Sequence, residues 1–248
     1  MSALVARHRG MLALGSREVL RVLKLWTQTI LAPVVSSFLF ILVFGLSLQG
    51  RISGVADVPY DQFIVPGLTI MAMAQAAYMN NSASLFQARS DRYLNDVLSA
   101  PMRSWEVNVG LSVGGVVRAL LIGAGLLALA VPVTGVPLEE PLVLFGSLGV
   151  VVGIHAETWD HTGFVNNLVI LPLTFLGGVF YSVDTLPSPW EELSHVNPIF
   201  YLVQAVRYGF LGTSDVSVAL SLAVTGVLAG AFAAWSAWLF HTGHRLKA

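Results

Sequence analysis

The sequence predicts an all-α membrane protein with six transmembrane helices, and both composition and hydropathy support this fold class. Hydrophobic residues make up 55% of the 248 residues, whereas charged residues make up only 11%. The mean hydropathy of +0.74 is too high for an ordinary soluble domain. Six apolar runs approach the roughly 20 residues that a helix needs to cross a bilayer. These predicted spans cover residues 27–48, 63–83, 107–131, 141–156, 163–183 and 218–240.

The distribution of cations predicts an orientation for these spans. With the N-terminus inside, the inner segments contain most of the cations, which are Arg7, Arg9, Arg17, Arg21, Lys24, Arg89, Arg92, Arg103, Arg245 and Lys247. The opposite side has only Arg51 and Arg207, beside carboxylates such as Asp57 and Glu139. Because positive charge is retained on the cytoplasmic side of membrane proteins, we expect both termini to be cytoplasmic. The spans leave no room for a separate globular domain, so residues 1–248 are expected to form a single transmembrane domain.

The segment before the first span, residues 1–26, is predicted to contain an interfacial helix. Between residues 11 and 26, the side chains of Arg17, Arg21 and Lys24 fall on one helical face, while most of the apolar side chains point away from it. Such a helix lies along the inner membrane surface, with its cations near anionic headgroups.

The loop between the second and third spans, residues 87–101, is predicted to contain a short amphipathic helix. Its apolar residues recur at helical spacing, and Pro101 ends the pattern. The residues concerned are Arg92, Tyr93, Leu94, Val97 and Leu98. On a cytoplasmic loop, such a helix fits a docking surface for another protein; the alternative is a helix that rests on the membrane surface.

Residues 186–212 are predicted to form a re-entrant helical hairpin at the outer face. Both halves are too short to span a bilayer, and they are interrupted at Asn197-Pro198. Their aromatic residues are typical of a membrane interface. The residues that define this segment are Pro187, Trp190, Asn197, Pro198, Tyr201 and Arg207.

Two further features concern the interior of the spans. Arg118 lies within the third span, where a cation needs a partner, a wet cavity or a route by which its long side chain reaches the headgroups. Pairs of glycines indicate faces on which helices pack closely, namely Gly110/Gly114, Gly149/Gly153, Gly177/Gly178 and Gly226/Gly230.

The sequence indicates no catalytic residue, no metal site and no bound cofactor in this chain. It contains no G-x-x-x-x-G-K-[ST] run for a nucleotide phosphate. His155 and His161 are six residues apart and do not share a helical face, so the polar cluster that they bound is predicted to be a solvated turn rather than a zinc site.

The C-terminal third resembles the signature of ABC-2 type permeases, the membrane subunits of ATP-driven exporters. The shared elements are a Gly-Gly-Val-Phe-Tyr helix end, a Leu-Pro pair followed by tryptophan, an Asn-Pro-x-x-Tyr run, an arginine and a closing Leu-Gly. In this chain they begin at Gly177, Leu186, Asn197, Arg207 and Leu211.

The resemblance implies a bacterial inner-membrane exporter that moves a hydrophobic or lipid-linked molecule. It implies that the helix in residues 87–101 is the coupling helix, which receives movement from a separate ATPase, although the glutamate-containing run common before this helix is replaced here by Ser90-Asp91-Arg92-Tyr93. It also implies that the N-terminal helix contacts the ATPase, and that an arginine at the place of Arg118 is common. The expected partners are two ATPase subunits carrying ATP and Mg²⁺, a second copy or a close homologue, and membrane lipids, but no nucleic acid.

The fifth span in related permeases faces the partner protomer. We therefore expect the interface between protomers and the translocation path to involve Phe175, Gly177, Gly178, Phe180 and Tyr181.

Two alternatives come from other classes of protein. An ATP-independent carrier would require inverted repeats and carboxylates deep in the membrane, and no carboxylate lies well inside a predicted span. An intramembrane hydrolase could use Ser147 and His155, but eight residues on one helix separate them by about 12 Å, which is beyond hydrogen-bond reach.

Overall fold

A computed structural model describes residues 8–48, 55, 58–140, 168 and 170–242 of the chain. The described part is almost entirely helical, and it contains no strand beyond a single bridge between Val55 and Val58. In chain order, the helices are α1 (Arg9–Lys24), a π-helix (Thr27–Leu31), α2 (Ala32–Leu48), α3 (Tyr60–Ser90), α4 (Leu94–Ser99), α5 (Ser104–Thr134), α6 (Leu171–Leu176), a 3₁₀ helix (Val183–Thr185), α7 (Trp190–Val196), α8 (Pro198–Leu211) and α9 (Val218–Thr242).

Four stretches of these helices are long and apolar enough to cross a membrane. They are Thr27–Gly45, Tyr60–Ala88, Ser104–Thr134 and Val218–Trp235. They correspond to the first, second, third and last predicted spans. The fourth predicted span, with Ser147, His155 and Gly149/Gly153, lies outside the described residues, as do His161 and the start of the fifth span. The count of six spans therefore stays a prediction.

The predicted C-terminal boundary of the fifth span is wrong. The helix in its described part, α6, ends at Leu176 and not at residue 183. Gly177 leaves the helical conformation, and Gly178 adopts a φ of 77°, a left-handed backbone that glycine tolerates readily. The chain therefore turns at the two glycines before it reaches the hairpin.

Helix α3 forms the centre of the packing. In its membrane-length window, 78% of the residues are buried, whereas at most 28% are buried in each of the other three windows. Phe63, Ile64, Ile70 and Met73 are completely buried in a core to which α2, α5 and α8 also contribute. The apolar residues exposed on α2, α5 and α9 are consistent with contact with lipid or with another chain.

The glycine pairs differ in how closely other residues approach them. A Cβ atom at Gly110 would approach Leu14 to 2.9 Å, and one at Gly114 would approach the Cβ of Glu18 to 2.9 Å. Close approach of α1 to α5 therefore requires both glycines. By contrast, no residue that the structure describes lies within 4 Å of a Cβ atom at Gly226 or Gly230, so the packing of α9 through this pair stays a prediction.

Candidate functional sites at the two ends of the helices

A buried carboxylate fastens α1 to the rest of the chain. Glu18 is only 1% exposed. Its Oε1 lies 2.8 Å from Arg17 Nη2, and its Oε2 lies 2.9 Å from Arg21 Nη2. Ser84 on α3 donates a hydrogen bond of 2.8 Å to Oε2. We call these four residues the Glu18 cluster. It satisfies a buried charge with two cations and a hydroxyl group, as burial requires.

The cluster continues into the loop that precedes α4. The Arg17 guanidinium lies 4.6 Å from the centre of the Tyr93 ring, a cation–π distance. Arg21 donates from Nη1 to Gln87 Oε1, at 3.1 Å. Arg17 and Arg21 thus bind protein groups, and their predicted proximity to lipid headgroups stays a prediction. The sequence pattern missed this use of the cations because Glu18 was not recognised as their partner.

Helix α4 begins later than predicted and packs inward through Val97. Arg92 has a φ of 60°, so the helix begins at Leu94 and leaves Arg92 and Tyr93 outside it. Val97 packs against an apolar cluster of Leu14, Val107 and Leu111, which belong to α1 and α5. Tyr93 packs against Leu85 and Ala88 of α3. The side chains of Arg89, Leu94 and Leu98 lie outside the described part of the structure.

The exposed residues that the structure describes in α4 and just before it are polar. Arg92, Asn95, Asp96 and Ser99 are all exposed. These four residues are open to contact with another protein, while Val97 and Tyr93 hold α4 against α1, α3 and α5. Of the predicted coupling residues, Arg92 is therefore exposed, whereas Tyr93 and Val97 pack within the chain.

A second polar contact joins the N-terminal segment to the start of α5. His8 Nδ1 lies 2.5 Å from Glu106 Oε1, and the other carboxylate oxygen accepts a hydrogen bond from the Arg103 N–H at 2.7 Å. The second contact caps the N-terminus of α5. A cavity of about 210 Å³ opens beside this pair, between the start of α1 and residues Ala100–Met102.

Arg118 has a partner inside the chain. Its Nε donates a hydrogen bond of 2.9 Å to the carbonyl oxygen of Thr29 in the π-helix. A π-helical turn alters the regular backbone pairing, so it can present a carbonyl group to an outside donor. This contact supports a structural role for the arginine.

At the opposite end of the helices, the hairpin is two helices joined at a capped break. Asn197 Oδ1 accepts a hydrogen bond of 3.0 Å from the Ile199 N–H, and Pro198 occupies the first position of α8. The Asn197 amide donates to the carbonyl oxygen of Leu173 on α6, at 2.5 Å. Pro187 and Trp190 are exposed at the beginning of this segment. The Asn-Pro break therefore fixes the hairpin to α6.

Arg207, which the sequence analysis counted among outer-face charges, is buried. It is 1% exposed, its guanidinium lies 4.0 Å from the centre of the Phe63 ring, and its Nη2 donates to the carbonyl oxygen of Gly178 at 2.5 Å. Asp215 lies 3.8 Å from its Nη1 and is held by Gln204 at 2.6 Å. Burial lowers the pKa of Arg207 to about 10, against the opposing effect of Asp215, so the group stays protonated at neutral pH.

The two glycines of the turn are enclosed by the same chain. Gly177 and Gly178 are both buried, and a Cβ atom at Gly178 would lie 3.0 Å from the side chain of Val183. The turn presents the Gly178 carbonyl group to Arg207. A role for Gly177 and Gly178 at a seam between protomers stays a prediction.

Four phenylalanine rings form a row along α2 and the turn after α6. Phe40 and Phe44 stack with ring centres 5.7 Å apart, Phe44 lies 5.9 Å from Phe180, and Phe180 lies 5.5 Å from Phe175. Phe40 is 47% exposed and Phe175 is 42% exposed. This aromatic row brings together Phe175 and Phe180, which the sequence indicated, with Phe40 and Phe44, which it did not. Tyr181 follows the row and is half-buried.

Comparison with known proteins identifies the family to which the chain belongs. Residues 9–211 match the family model described as ABC-2 type transporter. The chain belongs to the ABC-2 type transporter family. The match includes α1, α4 and the hairpin, so the N-terminal helix and the segment at the opposite end both belong to the family domain.

Named relatives agree with this assignment. The chain is 36% identical over 232 residues to the inner membrane transport permease YadH of Escherichia coli strain K12, and the alignment covers 89% of this chain and 90% of that protein. It is 26% identical over 221 residues to nodulation protein J of Rhizobium leguminosarum bv. viciae, which covers 80% and 83% of the two chains.

The ABC-2 assignment indicates the functional class of the protein and its cellular location. As a member of this family, the chain is the membrane component of an ABC transporter, and the relatives named as permeases indicate a transport subunit rather than an enzyme. The apolar helices and the inner-membrane relative support an integral protein of the inner membrane.

Proposed function

We propose that this ABC-2 permease works in an exporter that moves a hydrophobic or lipid-linked molecule outward, with ATP hydrolysed by two separate subunits. The observation that carries the proposal is the Glu18 cluster together with Tyr93. It joins α1 and the α4 loop into one cytoplasmic surface in a chain whose sequence lacks the nucleotide-binding motif. A surface of this kind suits the transfer of movement from a partner.

The exposed face of α4 is the proposed contact with the ATPase. Its exposed residues Asn95, Asp96 and Ser99, with Arg92 just before the helix, are polar and do not belong to the core. Val97, which faces α1 and α5, carries the movement inward because it packs against both helices. The exposed residues would recognise the ATPase, and Val97 and Tyr93 would transmit its movement to the neighbouring helices.

The aromatic row is the proposed site of contact with a second copy and with the substrate. It is apolar and partly exposed, and it lies at the predicted fifth span, which faces the partner protomer in related permeases. Aromatic rings provide large contact area with little loss of conformational freedom, which suits an apolar substrate. Between two protomers, two such rows would border one path.

Reconstitution tests this proposal. The tagged permease is extracted from bacterial membranes together with the ATPase that co-purifies with it, and both are placed in liposomes with a fluorescent phospholipid as the apolar probe. We expect movement of the probe to require MgATP and to stop with a non-hydrolysable analogue. Movement that follows an ion gradient without any ATPase would overturn the proposal in favour of a secondary carrier.

A single substitution tests the docking surface. Asp96→Arg reverses a charge on the exposed face of α4 and is not part of the core, so it should reduce co-purification of the ATPase while the permease folds normally. Glu192→Gln, on an exposed residue of the hairpin, is the matched control. Equal recovery of the ATPase with both variants would exclude this face as the contact.

A further inference from the structure

Three side chains of types that can ligate a metal lie together at the start of the hairpin segment, away from the sites described above. Asp184 lies in the 3₁₀ helix, and Glu191 and His195 lie on α7. One ligand atom from each of the three lies within 4.8 Å of the other two. Glu191 and His195 are four residues apart, so they share one face of their helix. The turn between the two helices brings in the third residue, which sequence spacing alone did not indicate.

We propose that Asp184, Glu191 and His195 form a binding site for a divalent transition metal of the zinc type. An imidazole nitrogen with two carboxylates is a ligand set that Zn²⁺ accepts, and three protein ligands leave a fourth position for water. Zinc–ligand distances of about 2.0–2.2 Å place tetrahedral ligand atoms roughly 3.4 Å apart. Small side-chain rotations would reduce the present distances between the ligand atoms, which are within 4.8 Å, to about 3.4 Å. Mg²⁺ and Ca²⁺ prefer sites made of oxygen alone, so the imidazole favours zinc.

The absence of competing partners provides an independent argument. Within residues 170–242, which the structure describes continuously, none of these three side chains has a hydrogen-bond partner or pairs with an arginine. The adjacent Glu192, by contrast, accepts a hydrogen bond from Ser188 at 3.2 Å. Two carboxylates and an imidazole therefore converge with their ligand atoms still available.

The local charge also favours a cation. The carboxyl groups of Asp184 and Glu191 each bring a ligand atom within 4.8 Å of the other and of His195. Negative charge is thus gathered at this point. A bound divalent ion would supply the missing positive charge.

Neighbouring contacts hold His195 in position. Its ring meets Phe200 edge to face, with centres 5.0 Å apart, and its backbone carbonyl group accepts a hydrogen bond of 2.9 Å from the Tyr201 hydroxyl. Ligands that are already oriented lose less conformational freedom on metal binding. A metal here would link the 3₁₀ helix to α7 and stiffen the start of the hairpin.

Metal titration of the purified full-length permease tests the site. The protein carries a tag without histidine, is treated with chelator, and is titrated with Co²⁺ as a visible-absorption probe and then with Zn²⁺ as competitor. We expect one Co²⁺ per chain that Zn²⁺ displaces, together with a higher Tm in Zn²⁺. His195→Ala and Glu191→Gln should each weaken binding by at least about tenfold.

Matched variants separate this site from other histidines. Glu192→Gln changes a carboxylate on the same helix that lies outside the cluster and should leave the affinity unchanged. His155→Ala controls for the other histidine-containing segment of the sequence. The Tm of each variant without metal verifies folding. No binding by the wild-type protein, or equal binding by the His195→Ala protein, would overturn the proposal.

Discussion

The guanidinium of Arg17 on α1 lies over the ring of Tyr93, which precedes α4, at 4.6 Å from the ring centre. This contact joins two elements that are predicted to be cytoplasmic and whose residues are 76 positions apart in the chain. Because Arg17 also pairs with Glu18, the contact connects the exposed loop to a carboxylate in the protein interior. The position of α4 therefore depends on α1.

Replacing Tyr93 separates the aromatic contact from the hydroxyl group. Tyr93→Phe retains the ring under Arg17 and should preserve ATP-dependent transport, since the hydroxyl contact, at 3.5 Å, is weak. Tyr93→Ala removes the ring and should lower transport by severalfold while the ATPase still co-purifies. Reconstituted transport and ATPase recovery are measured for both. Equal transport by the two variants would contradict a role for the ring.

Replacing Glu18 tests the interior end of the same connection. Glu18→Gln leaves Arg17 and Arg21 without their counter-charge, so we expect it to lower the free energy of unfolding by about 1–3 kcal/mol, given that both arginines are partly exposed. Thermal unfolding in detergent measures the change. Glu192→Gln on the exposed hairpin is the control and should be neutral. An unchanged Tm for Glu18→Gln would mean that the cluster contributes little to the docking of α1.

The hairpin is predicted to stay on the outer side of the membrane. Ser188 and Thr213 are both exposed, one before α7 and the other after α8. The chain contains no native cysteine, so single cysteines at these positions report without background. An impermeant thiol reagent added outside intact spheroplasts should label both. Labelling of one position only from the cytoplasmic side would mean that the segment spans the membrane.

Cysteines in the aromatic row test the predicted contact between protomers. The substitutions Phe40→Cys and Phe175→Cys place single cysteines at exposed positions on α2 and α6. If two copies meet along this row, oxidation should produce a cross-linked dimer of the assembled transporter with at least one of them. Val227→Cys on α9, which is 72% exposed, controls for random collision in the membrane. Cross-linking by the Val227→Cys variant alone would indicate that the interface between protomers lies at α9 instead of the aromatic row.

Substitution of Gly178 should destabilise the turn after α6. Gly178→Ala introduces a side chain at a φ of 77° and within 3.0 Å of Val183, so it should lower the free energy of unfolding by about 1–2 kcal/mol. Gly230→Ala is the matched control, because no described residue lies within 4 Å of its Cβ position. Thermal unfolding compares the two variants. Equal stability would show that the turn relaxes without cost.

Features that depend on one stretch of sequence were predictable. The spans matched by α2, α3, α5 and α9 follow from continuous apolar composition, and the Asn197-Pro198 break follows from the capping preferences of its two residues. The family signature was equally local, because its elements occur in order within residues 177–212.

Features that depend on packing between distant residues were not predictable from the pattern. Arg207 was counted as an outer-face charge because sequence does not reveal that Phe63 and the Gly178 carbonyl group surround it. Glu18 was overlooked because its partner Ser84 lies 66 residues away. The boundary errors at α4 and α6 have a different cause, which is a left-handed backbone at Arg92 and Gly178.

The π-helix has a mechanical consequence. Only Leu25 and Trp26 separate α1 from the π-helix, and α2 follows the π-helix without interruption. Arg118 of α5 holds this junction through the carbonyl oxygen of Thr29. We therefore expect a tilt of α1 to be transmitted through this junction to α2, and with it to Phe40 and Phe44 of the aromatic row.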